Sequence, residues 1–173
     1  KNEGKSNEFF VCHKFDKDVF NVPLLNYSDL ALMHAESLVE TGGDLATAIQ
    51  LTDAIRKRAY DTNFVALDPA INNTNLKIEI QKQRKLEFAF ENQRWFDLLR
   101  FNATFQNAAN KAEGVMDAHF TALWSTVYST FSVLPVTAAE LQANSNPNRY
   151  LLPIPQYEID TNSFITIPQN PGY

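Results

Sequence analysis

The sequence predicts an all-α fold with a tetratricopeptide-like αα-hairpin, a long central helix, an irregular insertion and an extended proline-rich C-terminal tail. Three observations support this prediction. Two helical patterns flank a Gly-Gly pair within residues 26–60, residues 76–101 contain neither glycine nor proline, and residues 150–173 contain four prolines. A chain of 173 residues with 45% hydrophobic content is long enough to form a single domain, 1–173, with its own core.

Residues 1–25 differ in character from the chain that follows. Residues 1–8 are polar, and the stretches FFVCHKF and DVFNVPLL mix aromatic with β-branched residues, which favour strands. Pro23 prevents a continuous helix here. We therefore expect extended segments or one short strand pair before residue 26.

The helical hairpin is predicted over residues 26–60. Ser28 or Asp29 can cap the first helix, Gly42 and Gly43 end it, and Asp44 caps the second helix. Small residues on both helices allow the close approach that is typical of tetratricopeptide units: Ala31, Ala35, Ala46 and Ala48. No second copy recurs at a fixed period, so the sequence predicts one hairpin and does not demonstrate a repeat array.

The central helix is predicted over residues 76–101. Its apolar side chains point in several directions at about 100° per residue, so it has to be covered nearly all round. Charged residues recur along it at spacings of three or four, where helical neighbours meet, and they predict a structural ion-pair network within this helix. The expected pairs are Arg84 with Glu87, Glu91 with Arg94, and Asp97 with both Arg94 and Arg100.

Residues 102–149 form the least regular part of the sequence, and we interpret them as a variable insertion with a possible helix at 103–112. If the aromatic stretch near residue 120 is helical, Trp124 and Tyr128 lie one turn apart. Two interpretations of this pair remain open. The two rings are weak candidates for stacking on a sugar ring, or they belong to a small apolar cluster beneath a long loop.

The tail, residues 150–173, is predicted to be extended, because each proline fixes φ and lacks a backbone donor. It also contains many apolar side chains, which favour burial. We therefore expect these side chains to lie along the helices: Leu151, Leu152, Ile154, Ile159, Phe164, Ile165 and Ile167.

Composition argues against several classes of function. The net charge of −5 disfavours a nucleic-acid partner, and no apolar run is long enough to span a membrane. The lone cysteine, Cys12, excludes an internal disulfide, and His13, His34 and His119 show no metal-ligand spacing. No Gly-rich phosphate loop or nucleophile motif occurs. We therefore expect no metal and no cofactor.

Glu87 and Glu91 raise the question of an enzyme. Helical residues four apart have Cβ atoms about 5–6 Å from each other, close to the carboxylate separation of about 5–5.5 Å in a retaining glycosidase. Both acids, however, have arginine neighbours that would keep them ionised, whereas a general acid needs a raised pKa. The sequence therefore predicts that the protein is not an enzyme.

Residues 84–100, RKLEFAFENQRWFDLLR, resemble the helix motif E-R-x-x-E-L-A-F-E-G-x-R-W-x-D-L-x-R of the SusD/RagB family of Bacteroidetes outer-membrane nutrient-binding lipoproteins. Phe88 replaces the family's Leu, Gln83 an acid and Asn92 a glycine. Because Asn tolerates a left-handed conformation, the last change leaves open whether the helix continues past Glu91.

Three other segments resemble the same family, in the same order along the chain. They are NVPLLNYSDLALMHAES at 21–37, AIRKRA at 54–59, and the tail from YLLPIP to QNPGY. The hairpin segment departs from the family pattern at Asn26, where Arg is common. Similar motifs in order make an accidental resemblance very improbable.

The resemblance implies an α-helical, cell-surface protein of the outer membrane that is held there by a lipid anchor. It implies non-catalytic binding of a glycan or other nutrient oligomer, with no cofactor, and delivery to a SusC-like TonB-dependent transporter. The chain resembles only the C-terminal portion of such a protein, so the anchor and much of the ligand surface would precede Lys1. The alternative is a helical-repeat protein-interaction module without a glycan ligand.

Overall fold

The computed structural model describes residues 26–126 and 137–173, and all the regular structure in those two ranges is helical. This confirms the all-α prediction. The α-helices in chain order are α1 (Tyr27–Thr41), α2 (Leu45–Tyr60), α3 (Asn73–Glu87), α4 (Arg94–Phe101), α5 (Ala112–Thr126), α6 (Ala138–Asn144) and α7 (Gln156–Thr161). The predicted strand pair and Tyr128 lie outside the described residues.

Helices α1 and α2 form the predicted hairpin. The cap of α1 is Asn26 and not Ser28 or Asp29, because the Asn26 side chain accepts the backbone N–H of Ser28. Gly42 ends α1 with φ 68°, a left-handed conformation that glycine adopts without steric cost. Asp44 caps α2 as predicted. The closer likeness to a tetratricopeptide unit stays a prediction.

The core lies where α3 packs across both helices of the hairpin. One buried cluster joins Ala35, Val39, Ala48, Leu76 and Ile80, and the other joins Ala31, Leu32, Ile55 and Phe88. Leu51 packs against both clusters. Burial of this apolar surface is the main stabilising term, and it fixes α1 against α3.

The prediction of one helix over residues 76–101 is wrong. Helix α3 ends at Glu87 and α4 begins at Arg94, and between them Phe90 (φ 67°) and Asn92 (φ 60°) are left-handed. We call residues 88–93 the elbow. The prediction that this segment is covered on nearly all sides is also wrong, since Phe90 is 73% exposed and Phe96 is 70% exposed.

The insertion is more regular than predicted. Its described residues include α5 and α6, which pack on each other. The possible helix at 103–112 is not an α-helix: a 3-10 turn lies at Ala108–Asn110, and α5 begins at Ala112. Helix α6 begins with a capping box in which Thr137 and Glu140 bond reciprocally, an arrangement that satisfies two backbone donors. Residues 102–149 therefore contain a packed helix pair.

The tail is not wholly extended, because α7 interrupts it. Four of its apolar side chains, those of Leu151, Leu152, Phe164 and Ile165, are between 56% and 95% exposed. The prediction that the apolar side chains lie along the helices is wrong for these four. Ile154, Ile159 and Ile167 are half-buried.

The tail closes on itself through the side chains of Gln169 and Asn170. The Ile154 N–H donates to Gln169 Oε1 at 2.7 Å, and Gln169 Nε2 donates to the Ile154 carbonyl at 2.9 Å. Asn170 Nδ2 donates to the Leu152 carbonyl at 2.7 Å. Gly172 has φ 93°, and a Cβ there would lie 2.7 Å from the Asn148 carbonyl oxygen. Only glycine therefore fits where the chain end returns to residue 148.

Candidate functional site

Arg84 joins three parts of the fold. Its Nε donates to both carboxylate oxygens of Asp97 on α4, at 3.0 and 2.9 Å, and its Nη1 donates to Asp29 on α1 at 2.7 Å. Its Nη2 lies 3.3 Å from Gln93 Oε1 in the elbow, and its guanidinium lies 5.1 Å from the Phe88 ring centroid. The side chain is only 5% exposed. A buried charge of this kind is stable only when its donors are satisfied.

Arg100 extends the cluster. It donates to Asp97 Oδ1 at 2.9 Å and to Glu36 Oε1 on α1. Glu36 is buried, whereas the Arg100 side chain is 44% exposed. The ion-pair network therefore links α1, α3 and α4 and reaches solvent at Arg100.

This network differs in part from the predicted one. Asp97 and Arg100 lie in contact, with Arg100 Nη2 2.9 Å from Asp97 Oδ1. The prediction that pairing stays within one helix is wrong for Arg84, which binds Asp29 and Asp97, and for Glu87, which Arg58 of α2 binds. The Glu91 and Arg94 pair stays a prediction.

A groove of about 380 Å³ opens beside this network, and we call it the α1 groove. One helix supplies most of its wall, and single arginines of α3 and α4 complete it. The lining residues are Met33, Glu36, Ser37, Glu40, Thr41, Arg84 and Arg100. It offers carboxylate, hydroxyl and guanidinium groups beside the apolar surface of Met33, which is 45% exposed.

Two pKa values in this region are shifted by burial. Burial raises the pKa of the Glu36 carboxyl, although Arg100 and Arg84 act in the opposite direction. Burial lowers the pKa of Arg94, an effect that the Asp97 carboxylate opposes. In both cases the removal of water disfavours the charged form.

The predicted ligand residues do not line the α1 groove. Trp124 lies on α5 and is half-buried, and Tyr128 lies beyond the described ranges. A second depression, of about 240 Å³, lies at the start of α5 and includes Lys111, Glu113 and Asp117 but not Trp124. The sequence offered no signal for the α1 groove, because Glu36 and Arg100 are 64 residues apart.

Residues 26–126 and 137–173 contain neither a metal-ligand cluster nor a helix suited to cross a membrane. Within these ranges no group of three or more His, Cys, Asp or Glu residues is arranged to hold a metal ion. In the same ranges, none of the helices combines the length and the apolar character that crossing a membrane requires.

The hairpin, the elbow and the buried network belong to an all-helical fold over the described residues. A family model described as the SusD family matches residues 14–173, so the chain belongs to the SusD family. SusD-like protein P2 of Formosa agariphila is 27% identical to it over 154 residues, which cover 86% of this chain and 25% of that protein. The chain thus spans about a quarter of that relative's length. No solved structure matches the chain significantly.

Proposed function

We propose that the protein to which this chain belongs binds a glycan or other nutrient oligomer at the cell surface, and that a SusC-like TonB-dependent transporter then takes up the ligand. The family match over residues 14–173 is the observation that supports this proposal. Residence in the outer membrane through a lipid anchor outside this chain is part of the same proposal.

The proposal includes no catalytic step. Helix α3 ends at Glu87, so Glu87 and Glu91 do not share a helical face, and Arg58 binds the Glu87 carboxylate. The spacing that would place their carboxyl groups about 5–6 Å apart on one helix therefore does not apply to this pair, which supports a proposal without catalysis.

The direct test uses the longer protein that contains this chain. Its retention in gels containing single polysaccharides is measured, and the soluble products are then analysed. We expect retention by at least one polysaccharide without release of shorter sugars. Release of sugars that is lost in Glu87→Gln would show an enzyme. Absence of retention, together with stable binding of another protein, would favour the helical interaction module.

Trp124 and Tyr128 are tested in the same assay. If they form a sugar platform, Trp124→Ala and Tyr128→Ala each weaken retention by about tenfold, because stacking on an aromatic ring is lost. The control is Phe96→Ala, which removes an exposed ring on α4. Equal retention of all three variants would assign Trp124 and Tyr128 to packing.

A further inference from the structure

Glu36 has one carboxylate oxygen without a hydrogen-bond donor. Its Oε1 accepts from Arg100, but its Oε2 is buried and has no partner among the residues that the structure describes. Glu36 is only 6% exposed and lines the α1 groove. A buried acceptor without a donor is costly, so this oxygen is a place where a bound molecule would gain a strong hydrogen bond.

The other groups of the α1 groove restrict the chemistry of that molecule. Ser37 Oγ donates to the Met33 carbonyl at 2.9 Å and Thr41 Oγ1 donates to the Ser37 carbonyl at 2.8 Å. Both hydroxyls can therefore accept but have already used their protons. The two hydroxyls and the two glutamate carboxylates of the lining are therefore all hydrogen-bond acceptors. A ligand that binds to them has to supply hydrogen-bond donors.

The charges of the lining disfavour an ionic ligand. Two glutamates and two arginines line the α1 groove, so a cation meets two like-charged side chains and so does an anion. A neutral hydroxyl avoids both repulsions, because it can donate to a carboxylate and accept from a guanidinium. Met33 adds an apolar surface on which C–H groups can pack.

From these observations we propose that the α1 groove binds a neutral sugar ring through hydroxyls that donate to Glu36 and accept from Arg100. The groove volume of 380 Å³ lies in the usual range of about 300–1,000 Å³ for small-ligand sites. Because Glu36 Oε2 is buried, a hydroxyl can reach it only if the side chain of Met33 or Arg100 changes rotamer on binding. The inference rests on the proposed function, since it names a site and a substrate class for it.

The chain contains two methionines, which provide a direct measurement. Met33 lines the groove, whereas Met116 lies on α5. In the chain labelled with ¹³C at the methionine methyl groups, titration with glucose, galactose or xylose is expected to shift the Met33 signal saturably and to leave Met116 unchanged. For a ligand of this size we expect a Kd on the order of millimolar. Absence of a saturable Met33 shift with all three sugars would overturn the proposal.

Three variants and two charged sugars test the assignment. Ser37→Leu fills the groove without altering the ion-pair network and is expected to abolish the Met33 shift. Glu36→Gln is expected to weaken binding by about tenfold, because a charged acceptor is lost. His34→Leu changes an exposed residue of α1 outside the groove and should bind normally.

Glucosamine and glucuronate should bind more weakly than glucose, and tighter binding of either would contradict a site for neutral rings.

The longer protein separates this proposal from the proposed function. If its Ser37→Leu variant is retained by a polysaccharide as strongly as the unaltered protein, the groove assignment fails while the glycan-binding function stands. If the chain binds neutral sugars in the groove but the longer protein retains no polysaccharide, the proposed function fails and the groove assignment stands.

Discussion

Arg84 and Asp97 are in contact across the elbow, with Arg84 Nε 2.9 Å from Asp97 Oδ2. In a continuous helix, residues 13 positions apart lie about 20 Å from each other along the axis. The contact therefore exists only because Phe90 and Asn92 reverse the chain. The elbow and the ion pair depend on each other.

Asp97→Asn is expected to lower the free energy of unfolding by about 3 kcal/mol, the lower end of the range for a broken buried pair, since Arg84 keeps Asp29 as a partner. The Arg84 and Asp97 side chains are 5% and 6% exposed. The matched control is Lys82→Ala, because Lys82 lies 3.6 Å from Glu79 and is 55% exposed. Lys82→Ala should lower the free energy of unfolding by less than about 0.5 kcal/mol. If urea denaturation gives equal losses for Asp97→Asn and Lys82→Ala, the buried pair contributes no more to stability than an exposed one.

Phe90→Gly is expected to stabilise the chain by about 0.5–1 kcal/mol. The left-handed φ of 67° costs a bulky residue about 1–2 kcal/mol, and the greater freedom of glycine in the unfolded chain offsets part of the gain. Phe96→Gly alters an equally exposed ring within α4 and should destabilise by about 0.5–1 kcal/mol. Thermal and urea denaturation of both variants measure whether each change raises or lowers the free energy of unfolding. A loss of stability in Phe90→Gly would contradict backbone strain at Phe90.

Gln169→Ala is expected to open the tail, because it removes two hydrogen bonds to Ile154, worth about 1–3 kcal/mol together. Hydrogen exchange at the Ile154 amide reports the change directly, since that amide donates to Gln169. Gln156→Ala serves as the control, because the Gln156 side chain bonds only locally, to Asp160. If the Ile154 amide exchanges at the same rate in Gln169→Ala as in the unaltered chain, the hydrogen bonds of Gln169 do not hold the tail closed.

Glu36 is expected to make stability fall as pH rises. Burial raises its pKa in the folded chain, so between the ordinary glutamate pKa and the raised value the folded state binds more protons than the unfolded state. The stability that Glu36 contributes is therefore fully present below the ordinary glutamate pKa, and it is lost as the pH rises through the raised pKa of the folded chain. Glu36→Gln mimics the protonated form and lacks the effect.

The measurement is the difference in unfolding free energy between the unaltered chain and Glu36→Gln, followed from acidic to neutral pH. This difference should shift in favour of Glu36→Gln as pH rises. Asp97, Arg84 and Arg100 face the same carboxyl, and they are present in both chains. A difference that stays constant with pH would contradict a raised pKa.

The hairpin was predictable from the sequence because its determinants are local. Asp44 and Gly42 act within one turn of their own helices, and the small residues repeat at helical spacing. The elbow was predictable only in part, from the tolerance of Asn92 for a left-handed conformation. Nothing in the local preferences of Phe90 favours a left-handed conformation, and the contacts that impose it, burial of Phe88 and the Arg84–Asp97 pair, form only in the folded chain.

The site was harder to predict than the fold. Spacing rules identify partners three or four residues away, and they found Asp97 with Arg100. They cannot find Asp29, which lies 55 residues before its partner Arg84. The burial of Glu36 on α1 requires a basic partner from another element, but spacing alone does not say that the partner is Arg100.

The hydrogen bonds that close the tail on itself all involve main-chain atoms on one side. Gln169 and Asn170 bond to the backbone of Ile154 and Leu152, and every residue type offers the carbonyls while all but proline offer the amide. Changes of sequence between Ile154 and Gln169 therefore leave these hydrogen bonds in place, and a longer loop there adds little closure entropy. For protein engineering, this makes the exposed residues 163–166 a natural place to graft an epitope, a fluorophore-binding peptide or an affinity tag.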